Sequence, residues 1–207
     1  MRHPKNELIN VINWAHKLLA EVIDTGDFAI DLTAGRGHDT LWLAEQVDAT
    51  QQGCVLAFDI QQQAIDSTAG RLAAAGFLSN KSTAQLASPI GISLYHCCHS
   101  RLTEVIDQQI TAQPKAVIAN FGYLPNGDHT TTTNAQSSCA AIMQATRLLA
   151  PTGRIALVLY TGHHGATEEV EAIENLCNQL DGQTWNILRI QPVNRNNAPY
   201  LLIIEKR

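Results

Sequence analysis

Three short stretches of this chain carry residue types that could do chemistry together. The first is Asp31-Leu32-Thr33-Ala34-Gly35-Arg36-Gly37-His38-Asp39-Thr40, in which two glycines permit a sharp backbone turn beneath a ligand. A dinucleotide-binding turn would place a third glycine at position 40, where Thr40 stands, and Asp31 sets negative charge beside the loop. A diphosphate is poorly served there. S-adenosylmethionine carries a sulfonium and an ammonium and no phosphate, so a carboxylate such as Asp31 attracts it. The second stretch is Phe58-Asp59-Ile60-Gln61. An acidic side chain closing the next strand is placed to reach both ribose hydroxyls of a nucleoside. Taken singly, Asp31 reads equally well as a turn residue and Asp59 as a helix N-cap; their joint placement around a glycine turn favours a nucleoside site. Cys98 and His99, after a third strand, would then flank the adenine.

The third stretch is Asn120-Phe121-Gly122-Tyr123-Leu124-Pro125-Asn126-Gly127-Asp128. It resembles the Asn-Pro-Pro-Tyr loop of amino-methyltransferases. In that loop an asparagine oxygen and the next backbone carbonyl accept hydrogen bonds from the target N–H groups, aiming the nitrogen lone pair at the sulfonium methyl. Asn120 and Phe121 take those places, and Phe121 and Tyr123 would hold a planar base. The plain alternative is a strand-to-helix turn rich in Asn, Gly and Pro. An alkyl amine with a pKa near ~10 needs help to lose its proton, and Asp128, His129, His163 and His164 are the candidate bases.

These stretches need a scaffold that brings strand ends to one edge. Leu8 to Ile23 is apolar at spacings of three and four, which predicts an N-terminal helix. The runs Phe28–Leu32, Cys54–Phe58, Ile92–His96, Ala116–Asn120 and Ile155–Tyr160 read as buried parallel strands. Helical patterns lie between them at about Asp39–Val47, Gln62–Ala75, Leu102–Gln109, Ala135–Leu149 and Thr167–Leu180. Trp185–Val193 and Tyr200–Glu205 follow without room for a crossover helix and read as an antiparallel pair. The polar stretch Leu78 to Gly91 reads as a surface loop. The expected architecture is an open α/β sheet of seven strands, mostly parallel, with a C-terminal antiparallel hairpin and helices on both faces. Ligands of such sheets bind beyond the carboxyl ends of the strands.

Composition agrees and excludes several classes. The 207 residues, 45% hydrophobic and 5% aromatic, fit one domain. Residues 1–26 would form its N-terminal helix, 28–160 its core βα units and 166–207 its last helix and hairpin. A formal charge of −5 gives no general attraction for phosphate backbones. No apolar run suits a signal peptide or a membrane span, so the expected location is the cytoplasm. The five cysteines are odd in number and read as reduced thiols. His96-Cys97-Cys98-His99 cannot converge on one metal ion, because neighbours on a strand point to opposite faces. No metal is expected.

Asp-x-Thr-Ala-Gly-x-Gly-His-Asp-Thr, Phe-Asp-Ile-Gln, Asn-x-Gly-Tyr-Leu-Pro-x-Gly-Asp and Tyr-x-Gly-His occur in that order. In this the chain resembles the bacterial rRNA methylase-like family that includes the tRNA 5-aminomethyl-uridine methyltransferase. The likeness runs from the helix containing His16 to Asn196-Asn197-Ala198-Pro199-Tyr200-Leu201-Leu202. It implies a Rossmann-like class I methyltransferase, S-adenosylmethionine as cofactor, and methylation of the exocyclic amine of 5-aminomethyl-(2-thio)uridine at the tRNA wobble position. A tRNA anticodon stem-loop as partner and a homodimer are implied as well. Cofactor contacts carry over to Asp31, Thr33, Gly35, Arg36, Gly37, Asp39, Thr40, Asp59, Gln61, Cys98 and His99, with Asn120 at the transfer site. Arg36 stands where the family commonly has asparagine, Cys97 where it has aspartate, and Leu78 to Gly91 is longer than its usual connection. Competing readings are methylation of another amine in rRNA, DNA adenine or protein, a nicotinamide-dependent oxidoreductase, and a noncatalytic nucleoside- or RNA-binding module.

Overall fold

The computed structural model describes residues 7–82, 90–106, 112–122, 132–161 and 166–207. A short 3-10 turn at Glu7–Ile9 leads into α1, Val11–Ala20. Asn10 starts this helix, its side-chain oxygen accepting from the N–H groups of Ile12 and Asn13 at 3.1 and 3.2 Å. Next come β1 (Phe28–Asp31), α2 (His38–Val47), β2 (Cys54–Asp59), α3 (Gln62–Ala74), β3 (Ser79–Ser82) and β4 (Gly91–His96). They are followed by α4 (Leu102–Val105), β5 (Ala116–Phe121), α5 (Ala135–Leu148), β6 (Arg154–Leu159), α6 (Ala166–Asn178), β7 (Trp185–Ile190) and β8 (Tyr200–Lys206).

The strands form one sheet in the order β3-β4-β2-β1-β5-β6-β8-β7. All neighbours are parallel except the pairs made by β8, which runs antiparallel to both β6 and β7. The late strand β8 is thus inserted between β6 and the edge. β1, β2, β5 and β6 are apolar over nearly their whole length and buried on both faces, as strands covered by helices require. One face packs Val11, Ala15 and Leu19 of α1, Leu43 and Val47 of α2, and Ile65 and Leu72 of α3 against Val55, Ile118 and Val158. The opposite face packs Leu102 of α4, Ile142 and Ala145 of α5 and Ile173 of α6 against Ile30, Leu56, Val117 and Leu157.

Two expectations need correction. The stretch 78–91 is not loop throughout, because Ser79–Ser82 pairs in parallel with Ile92–Tyr95 and adds an eighth strand. An edge strand needs partners on one side only, and Ser-Asn-Lys-Ser has none of the apolar content by which a strand is recognised. The helix expected over Leu102–Gln109 is a single turn, Leu102–Val105, after which Ile106 is extended; residues 107–109 lie outside the described residues.

β1 pairs with β2 on one side and β5 on the other, so the chain leaves β1 in one direction and later returns to its other flank. That reversal opens a crevice at the carboxyl ends of β1 and β5. Asp31, Asp59 and Asn120 all sit at the ends of their strands on this edge.

Candidate functional site

The turn from β1 into α2 is built by its glycines. Gly35 and Gly37 have φ of 53° and 75°, the left-handed region that side chains resist. A Cβ on Gly37 would stand 2.8 Å from the Thr68 Cα, so α3 closes in on the loop only because that position is bare. The Thr68 hydroxyl donates to the Gly35 carbonyl at 3.3 Å, and Arg71 Nε donates to the Arg36 carbonyl at 2.6 Å. The Arg71 guanidinium also donates to His38 Nε2 at 3.0 Å. Burial, then the charge of Arg71, lowers the His38 pKa, so His38 serves here as a neutral acceptor. The Arg36 side chain is exposed at the rim.

Three carboxylates line the crevice. Asp31 is wholly buried and accepts from the Thr33 N–H at 3.0 Å and the Thr40 hydroxyl at 2.6 Å. Thr40, where a dinucleotide-binding turn would have glycine, thus serves the carboxylate. Burial, reinforced by the nearby charge of Asp39, pushes the Asp31 pKa from 3.8 up to about 7. Asp59 accepts from the N–H groups of Gly35 and Gln61, each at 2.9 Å, and burial raises its pKa too. Gln61 opens α3 through its backbone; its side chain makes no cap. Such a concentration of acid fits a cofactor bearing two positive centres and opposes a diphosphate. The nicotinamide alternative loses its ground on this point.

Asp39 faces the end of β5. Its Oδ1 lies 2.6 Å from His16 Nε2, and its Oδ2 accepts from Asn120 Nδ2 at 2.6 Å. The backbone N–H of Asn120 donates to the Thr33 hydroxyl at 2.7 Å, tying β5 to the glycine turn. Asn120 Oδ1 is buried and has no hydrogen-bond partner among the described residues. The Phe121 carbonyl already accepts from the Tyr160 N–H at 3.3 Å, leaving one lone pair for a ligand.

On the other face His99 is buried, its ring edge-on to Phe121 with centroids 5.9 Å apart. Nδ1–H donates to the Leu32 carbonyl at 3.2 Å, since a carbonyl can only accept; Nε2 is therefore a bare acceptor, buried and with no partner among the described residues. Burial lowers the His99 pKa and keeps the ring neutral. Cys98 is half-buried and accepts from the Ser100 hydroxyl at 3.1 Å.

Asp31, Thr33, Gly35, Gly37, Asp39, Thr40, Asp59, Gln61, Asn120 and Phe121 therefore converge on one crevice, with His99 and Cys98 bordering it and Arg36 at its rim. Tyr123, Asp128, His129, His163 and His164 lie outside the described residues. Sequence reasoning missed His16, whose ring stacks on Trp42 at 4.1 Å with the planes 2° apart. No spacing in the sequence pointed to it. Thr68 and Arg71, which brace the loop from α3, gave no signal either.

A parallel sheet with an inserted terminal strand, a glycine turn ringed by carboxylates and a strand-end asparagine define the class of S-adenosylmethionine-dependent methyltransferases. The chain belongs to the Putative rRNA methylase family, whose sequence profile matches residues 55–206. It is 36% identical over 196 residues to a chloroplastic tRNA (mnm(5)s(2)U34)-methyltransferase of Arabidopsis thaliana, covering 93% of this chain and 68% of the relative. The solved structure of a putative rRNA-methylase from Clostridium thermocellum superposes with a TM-score of 0.83 at 31% identity, covering 96% of this chain and 98% of that one. A putative methyltransferase from Streptococcus mutans, solved in complex with SAH, gives 0.79 at 29% identity over the same shares.

Proposed function

We propose that this chain transfers the methyl group of S-adenosylmethionine to the exocyclic amine of 5-aminomethyl-(2-thio)uridine at the wobble position of tRNA. The observation that carries this reading is the Oδ1 of Asn120 at the end of β5, buried and without a partner among the described residues. An unpaired acceptor in that position costs free energy until a donor arrives, and an amine N–H is such a donor. The curated plant relative, named for methyl transfer at tRNA U34, supplies the carrier.

In this reading Asp31 and Asp59 hold the cofactor's ammonium and ribose. Thr33, Gly35, Arg36, Gly37, Asp39, Thr40, Gln61, Cys98 and His99 complete its surroundings. The cofactor, when bound, supplies an electrophilic methyl on a cationic sulfur. Asn120 Oδ1 accepts one N–H of the neutral amine and the Phe121 carbonyl a second, which turns the nitrogen lone pair toward the methyl. The C–N bond forms as the S–C bond breaks, leaving a thioether and a secondary ammonium that releases its proton. Tyr123 would hold the uracil ring and Asp128 take the proton that the substrate ammonium must lose before attack. One domain carries all of this. It acts as a cytoplasmic enzyme on the anticodon stem-loop; among the described residues no helix is long and apolar enough to cross a membrane. The resemblance also implies a homodimer, for which Leu188, exposed on edge strand β7, offers an apolar contact.

The test is incubation with S-adenosylmethionine and tRNA carrying 5-aminomethyl-uridine, followed by nucleoside mass spectrometry, with unmodified tRNA as control. One methyl gained on that nucleoside alone is the expected result. Methylation of the unmodified tRNA, or none despite cofactor binding, would refute the assignment.

A further inference from the structure

Asn120 is not free to choose which end of its amide meets the crevice. A carboxylate accepts and cannot donate, so the Asn120 atom 2.6 Å from Asp39 Oδ2 must be the amino group, which leaves the oxygen facing the site. The other carboxylate oxygen, Oδ1, receives His16 Nε2–H at 2.6 Å. Both carboxylate oxygens are thus engaged, one by a donor from α1 and one by a donor from β5. The His16 ring cannot easily rotate away, because it lies flat on Trp42 from α2. The Asn120 backbone is fixed separately, through its N–H to the Thr33 hydroxyl.

We infer that His16 and Asp39 form a polarity lock on Asn120: positioning residues that keep its oxygen, and never its amino group, turned to the substrate nitrogen. The lock deepens the amine reading given above and rests on it. It restricts the substrate class to nitrogens that carry hydrogen, since a ring nitrogen with only a lone pair meets a second acceptor there. Asp39 thereby takes a role distinct from the cofactor contact that the family resemblance implies for it. His16 contributes from a helix that the glycine-turn and strand-end motifs do not include.

Two sets of variants test the lock. His16→Phe keeps the stack on Trp42 and removes the donor; His16→Gln restores a donor at similar reach. We expect His16→Phe to lower kcat roughly tenfold while SAH affinity stays within about twofold, and His16→Gln to recover most of the loss. Asn120→Asp sets two carboxylates side by side and should lower kcat by about a hundredfold. Adding Asp39→Asn reverses donor and acceptor across the contact, again leaves an oxygen toward the site, and should regain at least about tenfold. A double variant no better than Asn120→Asp, or SAH affinity falling in step with kcat in His16→Phe, would overturn the inference.

A readout independent of substrate is hydrogen exchange of the Asn120 side-chain amide by NMR, with the resonance assigned from its loss in Asn120→Asp. Exchange should be slow in the parent protein and at least about tenfold faster in His16→Phe and Asp39→Leu. Equal exchange in all three sinks the lock. Slow exchange in the parent protein together with no methylation of the amine-bearing tRNA would refute the substrate assignment and leave the lock standing.

Discussion

Replacing Asp31 with asparagine should make the cofactor-free protein more stable and a poorer cofactor binder. Asp31 is wholly buried, and its pKa stands at about 7 against an ordinary 3.8. Because each pKa unit is worth about 1.4 kcal/mol, holding this carboxylate ionised costs the folded state roughly 4 kcal/mol at full effect. The charge of Asp39 supplies part of this, and an amide fits the Thr33 and Thr40 donors less well than a carboxylate. A net gain of about 2 kcal/mol is therefore a reasonable expectation. The sign follows from the direction of the shift. A raised carboxylate pKa means the penalty is absent below about pH 4, grows as pH rises, and is complete above about 7. Guanidinium unfolding of wild type and Asp31→Asn at pH 5 and pH 8 should show the variant's advantage widening at the higher pH. Titration calorimetry should show S-adenosylmethionine affinity falling roughly ten- to a hundredfold in the variant, the worth of one charge-assisted hydrogen bond. Wild-type affinity should itself rise with pH across about 6 to 8 as Asp31 ionises. An Asp31→Asn protein that is less stable than wild type at pH 8, or whose advantage does not depend on pH, would refute the reasoning.

Asp59→Ala removes the acceptor proposed for the ribose and should weaken SAH binding about tenfold or more, which calorimetry reads directly; undiminished affinity would remove Asp59 from the site. Gly37→Ala should destabilise by at least about 2 kcal/mol, a fall of roughly 4 to 8 °C in melting temperature, because its φ is +75° and the new methyl meets the Thr68 backbone. Arg154 donates to the Leu18 carbonyl and the Glu21 carboxylate, each at 2.6 Å, and to Glu205 at 2.8 Å, tying α1 to β6 and β8. Arg154→Ala should cost about 2 kcal/mol in denaturant unfolding and speed proteolytic cleavage near α1.

The central strands were legible because burial on both faces leaves continuous apolar runs such as Ala-Val-Ile-Ala, and the glycine turn because few residues tolerate its backbone. Edge strand β3 escaped notice since Ser-Asn-Lys-Ser carries no apolar residue and takes its place through main-chain pairing with β4. Asp31, Asp59 and Asn120 could be picked out because each ends a recognisable strand. His16 could not: its meaning depends on α1 crossing to Asp39, a contact between residues 23 apart in sequence that no local spacing encodes. Asp39 was found as part of a motif, but its two donors come from the first helix and the fourth of the apolar strands expected from the sequence, and only the packed sheet shows that.

The insertion of β8 between β6 and β7 also constrains the order in which the protein can assemble. β6 finds its second partner only in β8, which comes later in the chain than β7, so β7 has no place on the sheet until β8 has arrived or brings it along as a hairpin. Until then the outer edge of β6 presents unpaired N–H and C=O groups along a strand that is almost wholly apolar. A chain caught at that stage is a template for pairing with another copy of itself. The short connection 191–199 favours early closure of the β7–β8 hairpin and shortens that exposure. Substitutions there would be felt first as aggregation during refolding, with the native crevice and its chemistry left intact.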